Sequence, residues 1–110
     1  MTTLTEKHCV PCEGRTVPLF RPRAEELLKE VPMWEISRDG KSISRTMKFK
    51  DFLEAMHFAN NIAQVAEMEG HHPDLLIKWA SVGIDLSTHA IGGLSENDFI
   101  LAAKIDALAH

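Results

Sequence analysis

The chain has 110 residues, of which 45% are hydrophobic and 25% charged, and its formal net charge is −4. These values predict one globular domain with a modest core, and the scattered basic residues exclude the surface expected of a nucleic-acid-binding or membrane-surface protein. No apolar run approaches the roughly 20 residues that span a bilayer, and the first residues lack the apolar segment of a secretory signal, so we expect a cytoplasmic protein.

The first 20 residues form a segment of their own. They show no helical or strand periodicity and contain Pro11, Gly14 and Pro18, so we expect an extended, loosely attached arm over residues 1–20 and one domain over residues 21–110. The two cysteines, Cys9 and Cys12, lie too close together to cross-link a core. With His8 they could form half of a zinc site, or a redox pair, but an arm with neither function is the preferred interpretation.

The first half of the domain predicts a helix and a hairpin. Pro22 suits the first turn of the helix and Pro32 stops it. Residues 34–37 and 43–49 alternate between apolar and polar side chains, which indicates two strands. Asp39-Gly40 between them is a strong hairpin signal, because glycine accepts a positive φ.

A long amphipathic helix is predicted over residues 51–69, with Gly70 ending it. Residues 75–80 and 84–87 then alternate as two further strands, with their turn at residues 81–83. The stripe of the helix and the alternation of the strands predict a core that includes Phe52, Met56, Ala59, Ile62, Ile77 and Leu86.

A final helix is predicted over residues 96–108. Ser95 and Asp98 make a variant of the capping box, in which Asp98 replaces the usual glutamate or glutamine. The resulting order is helix, strand, strand, helix, strand, strand, helix. It predicts an α+β fold, an α-β-β-α-β-β-α sandwich in which helices cover one face of a four-stranded antiparallel sheet.

Three histidines are candidates for chemistry. His71 and His72 are adjacent before the third strand, and His89 ends the fourth strand, 18 residues after His71. A hairpin brings the start of one strand beside the end of the next, so we expect all three at one end of the sheet. Because the unperturbed pKa of histidine is about 6.5, such a cluster can both give and accept protons near neutral pH. It predicts a general acid–base site.

Three further residues each have two interpretations. Glu67 lies one helical turn before His71 and could hold it by a hydrogen bond, or it is a solvated carboxylate at the helix end. Asp98 caps the last helix and could also face the histidines. Trp79 could form an aromatic wall for a flat ligand, although a core position is the preferred interpretation.

Together these residues resemble the pterin-4a-carbinolamine dehydratase family. The resemblance covers roughly residues 22–108, and the pattern that carries it is Glu67, His71-His72-Pro73, Trp79, His89 and Asp98, with the segments 85–89 and 93–98. It implies the sandwich order given above. It also implies an enzyme that converts 4a-hydroxytetrahydropterin to quinonoid dihydropterin and water, which recycles the cofactor of aromatic amino-acid hydroxylases. By position it implies catalytic His71, His72 and His89, and substrate-binding or supporting Glu67, Pro73, Trp79 and Asp98.

The resemblance also implies a pterin substrate and a homodimer or homotetramer, and neither a metal nor another cofactor is expected. Two alternatives of other classes stay open. Animal relatives in this family also act as dimerisation partners of a transcription factor, so the chain could be an interaction module. Three histidines and a water would also suit a catalytic zinc ion, which would make the chain a metal-dependent hydrolase.

Overall fold

The structure is a computed structural model that describes residues 3–11 and 17–109. Within them the elements follow the predicted order: α1 (Arg21–Leu28), β1 (Glu35–Ile36), β2 (Ile43–Lys48), α2 (Phe52–Glu69), β3 (Asp74–Lys78), β4 (Ser81–Leu86) and α3 (Glu96–Leu108). Two short 3₁₀ turns are added at Leu4–Glu6 and His89–Ile91. The predicted α+β class is confirmed.

The four strands form one antiparallel sheet in the order β1-β2-β4-β3. Along β4, Val82, Ile84 and Leu86 are buried, whereas the residues between them face the other side and are more open to solvent. Strand β4 contacts α2, and α2 packs against α3. The helices therefore cover one face of the sheet and leave the opposite face open, which is why side chains on the strands alternate in burial.

Local chemistry fixes both ends of α2. Asp51 precedes the helix and accepts the N–H of Glu54 at 2.8 Å, which satisfies one of the free donors of the first turn. At the other end Gly70 adopts the left-handed conformation, with φ at 65°, and turns the chain out of the helix. Because His71 and His72 follow at once, the end of this helix decides where both histidines lie.

The core prediction is confirmed in part. Ala59, Ile62 and Leu86 are buried, and Met56 and Ile77 are partly buried. The prediction was wrong for one aromatic residue, because the side chain at Phe52 is 53% exposed. It lies on the expected stripe of α2 but in the first turn, before Ala55 begins the buried part of the helix.

The second hairpin turns two residues earlier than predicted. Lys78 pairs with Ser81, so the turn is Trp79-Ala80, and residues 81–83 belong to β4. Gly83 lies in the middle of the sheet, where it pairs with Thr46 on one side and with β3 on the other. Trp79 is 74% exposed at the turn, so its preferred core position was wrong.

The described part of the N-terminal arm is attached more firmly than expected. Leu4 is only 4% exposed, and the Thr5 carbonyl accepts a hydrogen bond from Nζ of Lys104 at 2.9 Å. Cys12 and Gly14 lie outside the described residues, so the zinc and redox interpretations stay untested. Among the helices that the structure describes, none has the length and apolar character needed to cross a membrane.

Candidate active site

The three candidate histidines line one cavity of about 220 Å³. It lies at the end of the sheet where β3 begins and β4 ends. His71 and His72 reach it from the turn after α2, and His89 reaches it from the 3₁₀ turn that follows β4 rather than from the strand itself. The second hairpin thus brings together the residues that the sequence spacing placed at one end of the sheet, while their catalytic roles stay a prediction.

His71 is held by a buried carboxylate. Its Nε2 lies 2.6 Å from Oδ1 of Asp98, and the two side chains are 12% and 0% exposed. The other oxygen of Asp98 accepts the hydroxyl of Thr88 at 2.8 Å and the N–H of Ser95 at 3.0 Å. When Asp98 is ionised its carboxylate can only accept hydrogen bonds, so Nε2 of His71 is then the donor and Nδ1 is the acceptor of a neutral ring. This is the tautomer that a general base requires.

The start of α3 builds this arrangement. Ser95 and Asp98 form the predicted capping box, so the carboxylate that begins the helix is also the one that holds His71. The hydroxyls of Ser95 and Thr88 lie 2.7 Å apart; since Thr88 donates to Asp98, Ser95 donates to Thr88. Both interpretations of Asp98 are therefore correct at once. Sequence reasoning missed Thr88, because a threonine at the end of a strand carries no signal of its own.

Glu67 contacts the other histidine of the pair. Its Oε2 accepts a hydrogen bond from Nε2 of His72, and both side chains are exposed, by 76% and 60%. Of the two interpretations of Glu67, the structure shows the solvated carboxylate; the hydrogen bond to His71 is not formed, because Nε2 of that ring contacts Asp98. A solvent-exposed contact of this kind contributes at most about 1 kcal/mol even as an ion pair, so Glu67 orients the ring of His72 more than it stabilises the fold.

Two predicted site residues lie outside the cavity. Pro73 joins the histidine turn to β3 and is half-buried, but it is not among the residues that line the cavity. Trp79 lies at the opposite end of β3 from the histidines, exposed at the hairpin turn. Trp79 therefore does not form the aromatic wall that was the alternative to its core position, and it is not among the described residues that line this cavity.

The arm supplies cavity residues that sequence reasoning missed. Val10 and Pro11 line the cavity together with Asn97, and the remaining lining comes from Gly70, Ser87, Thr88 and Ala90. The arm has no periodicity from which such a contact could be predicted.

Carboxylates dominate the charge at this end of the sheet. Asp74 and Asp85 face each other across β3 and β4. Partial burial raises the pKa of the Asp85 carboxyl, the negative charges of Asp74, Asp39 and Asp98 raise it further, and His89 opposes the rise. An uncharged or cationic ligand fits these surroundings better than an anion.

The zinc alternative requires three side chains placed as ligands. Within the described ranges, no group of three or more His, Cys, Asp and Glu side chains is arranged to hold a metal ion. His71, His72 and His89 share a cavity, but they do not form a ligand set.

Comparison with known proteins gives a consistent result. The family model for pterin 4 alpha carbinolamine dehydratase matches residues 18–108. A protein of Halorhodospira halophila, named as a candidate pterin-4-alpha-carbinolamine dehydratase, is 48% identical over 106 residues, which cover 96% of this chain and 97% of the relative. A protein of Methylococcus capsulatus with the same name is 47% identical over 107 residues, which cover 97% of this chain and 94% of the relative.

Solved structures extend the comparison to the fold. A transcriptional coactivator/pterin dehydratase from Brucella melitensis superposes with a TM-score of 0.80 at 32% identity, covering 84% of this chain and 99% of the other. A pterin dehydratase-like protein described as a RuBisCO assembly factor in the alpha-carboxysome gives a TM-score of 0.60 at 25% identity, covering 69% of this chain and 88% of the other.

Proposed function

Because this chain belongs to the family of pterin-4-alpha-carbinolamine dehydratases, we propose that it removes water from a 4a-hydroxytetrahydropterin in the cytoplasm. The product is a quinonoid dihydropterin, and the reaction serves the recycling of the pterin cofactor of aromatic amino-acid hydroxylases. The observation that supports this reaction most directly is His71, which a buried carboxylate holds at a cavity that two further histidines share.

The dehydration requires two proton transfers. The C–O bond at position 4a breaks, a double bond forms between that carbon and the neighbouring ring nitrogen, the nitrogen loses its proton, and the leaving hydroxyl gains one. His71 suits the removal of the proton, because the bond from Nε2 to Asp98 leaves Nδ1 as the acceptor. His72 and His89 divide the other two tasks, protonating the hydroxyl and binding the ring.

All proton-transfer groups in this proposal are side chains, so the rate does not depend on a metal. Positioned acid–base groups contribute about 10²–10⁴-fold each to a rate. Treatment of the protein with a chelator should therefore leave turnover unchanged, and loss of turnover that zinc restores would favour the hydrolase-type metal site instead.

The test is dehydration of synthetic 4a-hydroxytetrahydropterin, followed by its ultraviolet spectrum with the spontaneous reaction subtracted. The wild-type protein should accelerate the reaction, and His71→Ala should lose about 10²–10⁴-fold of that acceleration. His57→Ala is the matched control, because His57 is an exposed histidine of α2 that does not line the cavity. A wild-type rate equal to the spontaneous rate would refute the proposed function.

An interaction role is the second candidate. The Brucella melitensis structure is named in part as a transcriptional coactivator, and the carboxysome protein as an assembly factor. This chain also exposes apolar side chains along α2: Leu53 by 80%, Met68 by 83% and Phe52 by 53%. The two roles can coexist, and the turnover assay decides whether the cavity is an active site.

A further inference from the structure

The N-terminal arm forms part of the candidate active site, and we propose that Val10 and Pro11 are substrate-binding residues that pack against the pterin. The inference rests on the proposed function of the same cavity. Both residues line the cavity with the three histidines. The side chain of Val10 is 65% exposed, so it has apolar surface that a bound ligand can cover.

One buried side chain fixes the backbone of Val10. The N–H of Val10 donates to Oδ1 of Asn97 at 3.0 Å, and Nδ2 of Asn97 donates to the carbonyl of Val10 at 2.6 Å. Asn97 is only 5% exposed and lies one residue before Asp98. The first turn of α3 therefore holds both the arm and the carboxylate that orients His71, so one element sets the position of Val10 relative to the histidines.

A second anchor fixes the preceding residues of the arm. The Glu69 carboxylate, 5% exposed, accepts the N–H of Cys9 at 2.8 Å and lies 3.0 Å from Nδ1 of His8. Burial acts to raise the pKa of Glu69, but the hydrogen bonds from Cys9 and His8 and the charge of Lys104 outweigh it and lower the pKa overall. Glu69 ends α2 just before Gly70 and His71, so both anchors of the arm adjoin the groups that hold the histidines.

The chemistry of the two residues defines their effect on the reaction. Valine and proline side chains have no proton to transfer, so they cannot replace any of the histidines. Apolar contacts away from the reacting bond are equal in the ground state and the transition state, and such uniform binding changes KM and leaves kcat nearly constant. The arm should therefore affect substrate affinity and not the chemical step.

The test compares three alanine variants of the full chain with synthetic 4a-hydroxytetrahydropterin as substrate. Val10→Ala and Pro11→Ala should each raise KM about threefold to tenfold, the loss expected when a partly buried apolar contact is removed, with kcat within about twofold of wild type. Val17→Ala is the matched control, because Val17 is an exposed residue of the same segment, at 80%, outside the cavity. It should leave both constants unchanged.

The pair of hydrogen bonds between Asn97 and the backbone of Val10 is tested by adding Asn97→Ala. If Val10 binds substrate only while Asn97 holds it, Val10→Ala should raise KM much less in the Asn97→Ala background than in the wild type. An unchanged KM in both Val10→Ala and Pro11→Ala, or a fall in kcat at constant KM, would overturn the inference while wild-type turnover upheld the proposed function. A wild-type protein without turnover would remove both.

Discussion

Replacement of Asp98 by asparagine tests the role of the buried carboxylate with the smallest change in shape. The new amide has one oxygen and one NH₂ group, and it must satisfy Ser95, Thr88 and His71. The N–H of Ser95 can only donate, so the oxygen must face it and Thr88. The NH₂ group then faces His71, which can respond by moving its own proton from Nε2 to Nδ1.

The structure sets the size of the effects of Asp98→Asn on the free energy of unfolding and on kcat. Three hydrogen bonds to a charged group become neutral ones, and each loses about 1 kcal/mol, so the free energy of unfolding should fall by about 3 kcal/mol. That is less than the ~5–15 kcal/mol of a typical domain, so the variant still folds. With the proton on Nδ1, His71 can no longer act as base, and kcat should fall by about 10²–10⁴-fold.

Two measurements check Asp98→Asn independently of its stability. Turnover of 4a-hydroxytetrahydropterin gives the rate, and ¹⁵N NMR of the imidazole gives the tautomer of His71. The double variant with His71→Ala should be no slower than His71→Ala alone, because Asp98 acts through that ring. A variant with the proton on Nδ1 and wild-type kcat/KM would refute the assignment of His71 as base, and an unchanged tautomer would refute the reasoning about the amide.

Further predictions follow from burial and charge. His89→Ala should lower kcat about 10²–10⁴-fold if His89 protonates the leaving hydroxyl, and should raise KM instead if it binds the ring. In both cases the unfolding free energy should be nearly unchanged because the residue is exposed, and chemical denaturation that shows a loss above about 1 kcal/mol would contradict this. Ile62→Ala should cost about 2–5 kcal/mol, since Ile62 is 0% exposed, whereas Phe52→Ala should cost much less; equal midpoints would reverse the core assignment. The pKa of Glu69 is lowered in the folded state, so Glu69→Gln should have a smaller free energy of unfolding than wild type at neutral pH. The stability difference should shrink as the pH falls below the ordinary glutamate pKa, and it should be gone below the lower pKa of the folded state. Edge strand β3 favours pairing with a second copy, so light scattering at tens of micromolar should give at least twice the mass of one chain, and a single-chain mass would contradict it.

The fold could be predicted from the sequence where burial repeats at a regular spacing. Helix α2 was identified because its buried residues recur at helical intervals, and Gly70 ended it as expected. Periodicity shows which face of a helix is apolar, but it does not show how far along the helix the neighbouring layer of the core extends. Phe52 was therefore assigned to the core although it lies in the exposed first turn of α2. Gly83 was placed in a turn because glycine suits both a turn and the middle of a sheet.

The site could be predicted only as far as topology determines it. A hairpin necessarily returns His89 to the level of His71, so the shared cavity followed from spacing. The choice of carboxylate did not, because Asp98 reaches His71 from 27 residues away, across the packing of separate elements. The contribution of the arm depends on single side chains such as Asn97, which binds the backbone of Val10. No periodicity in the sequence indicates which backbone groups such a side chain will bind.

The double use of Asp98 makes the active fraction of the protein depend on a local opening equilibrium. In native proteins a local segment can open before the whole molecule unfolds. When the first turn of α3 opens, the capping contact and the bond to His71 break together, so the open molecules keep the histidines but lose the carboxylate that prepares His71 to act as base. Activity measured against temperature should therefore decline ahead of the loss of the sheet, and amide exchange at Ser95 should follow the same curve.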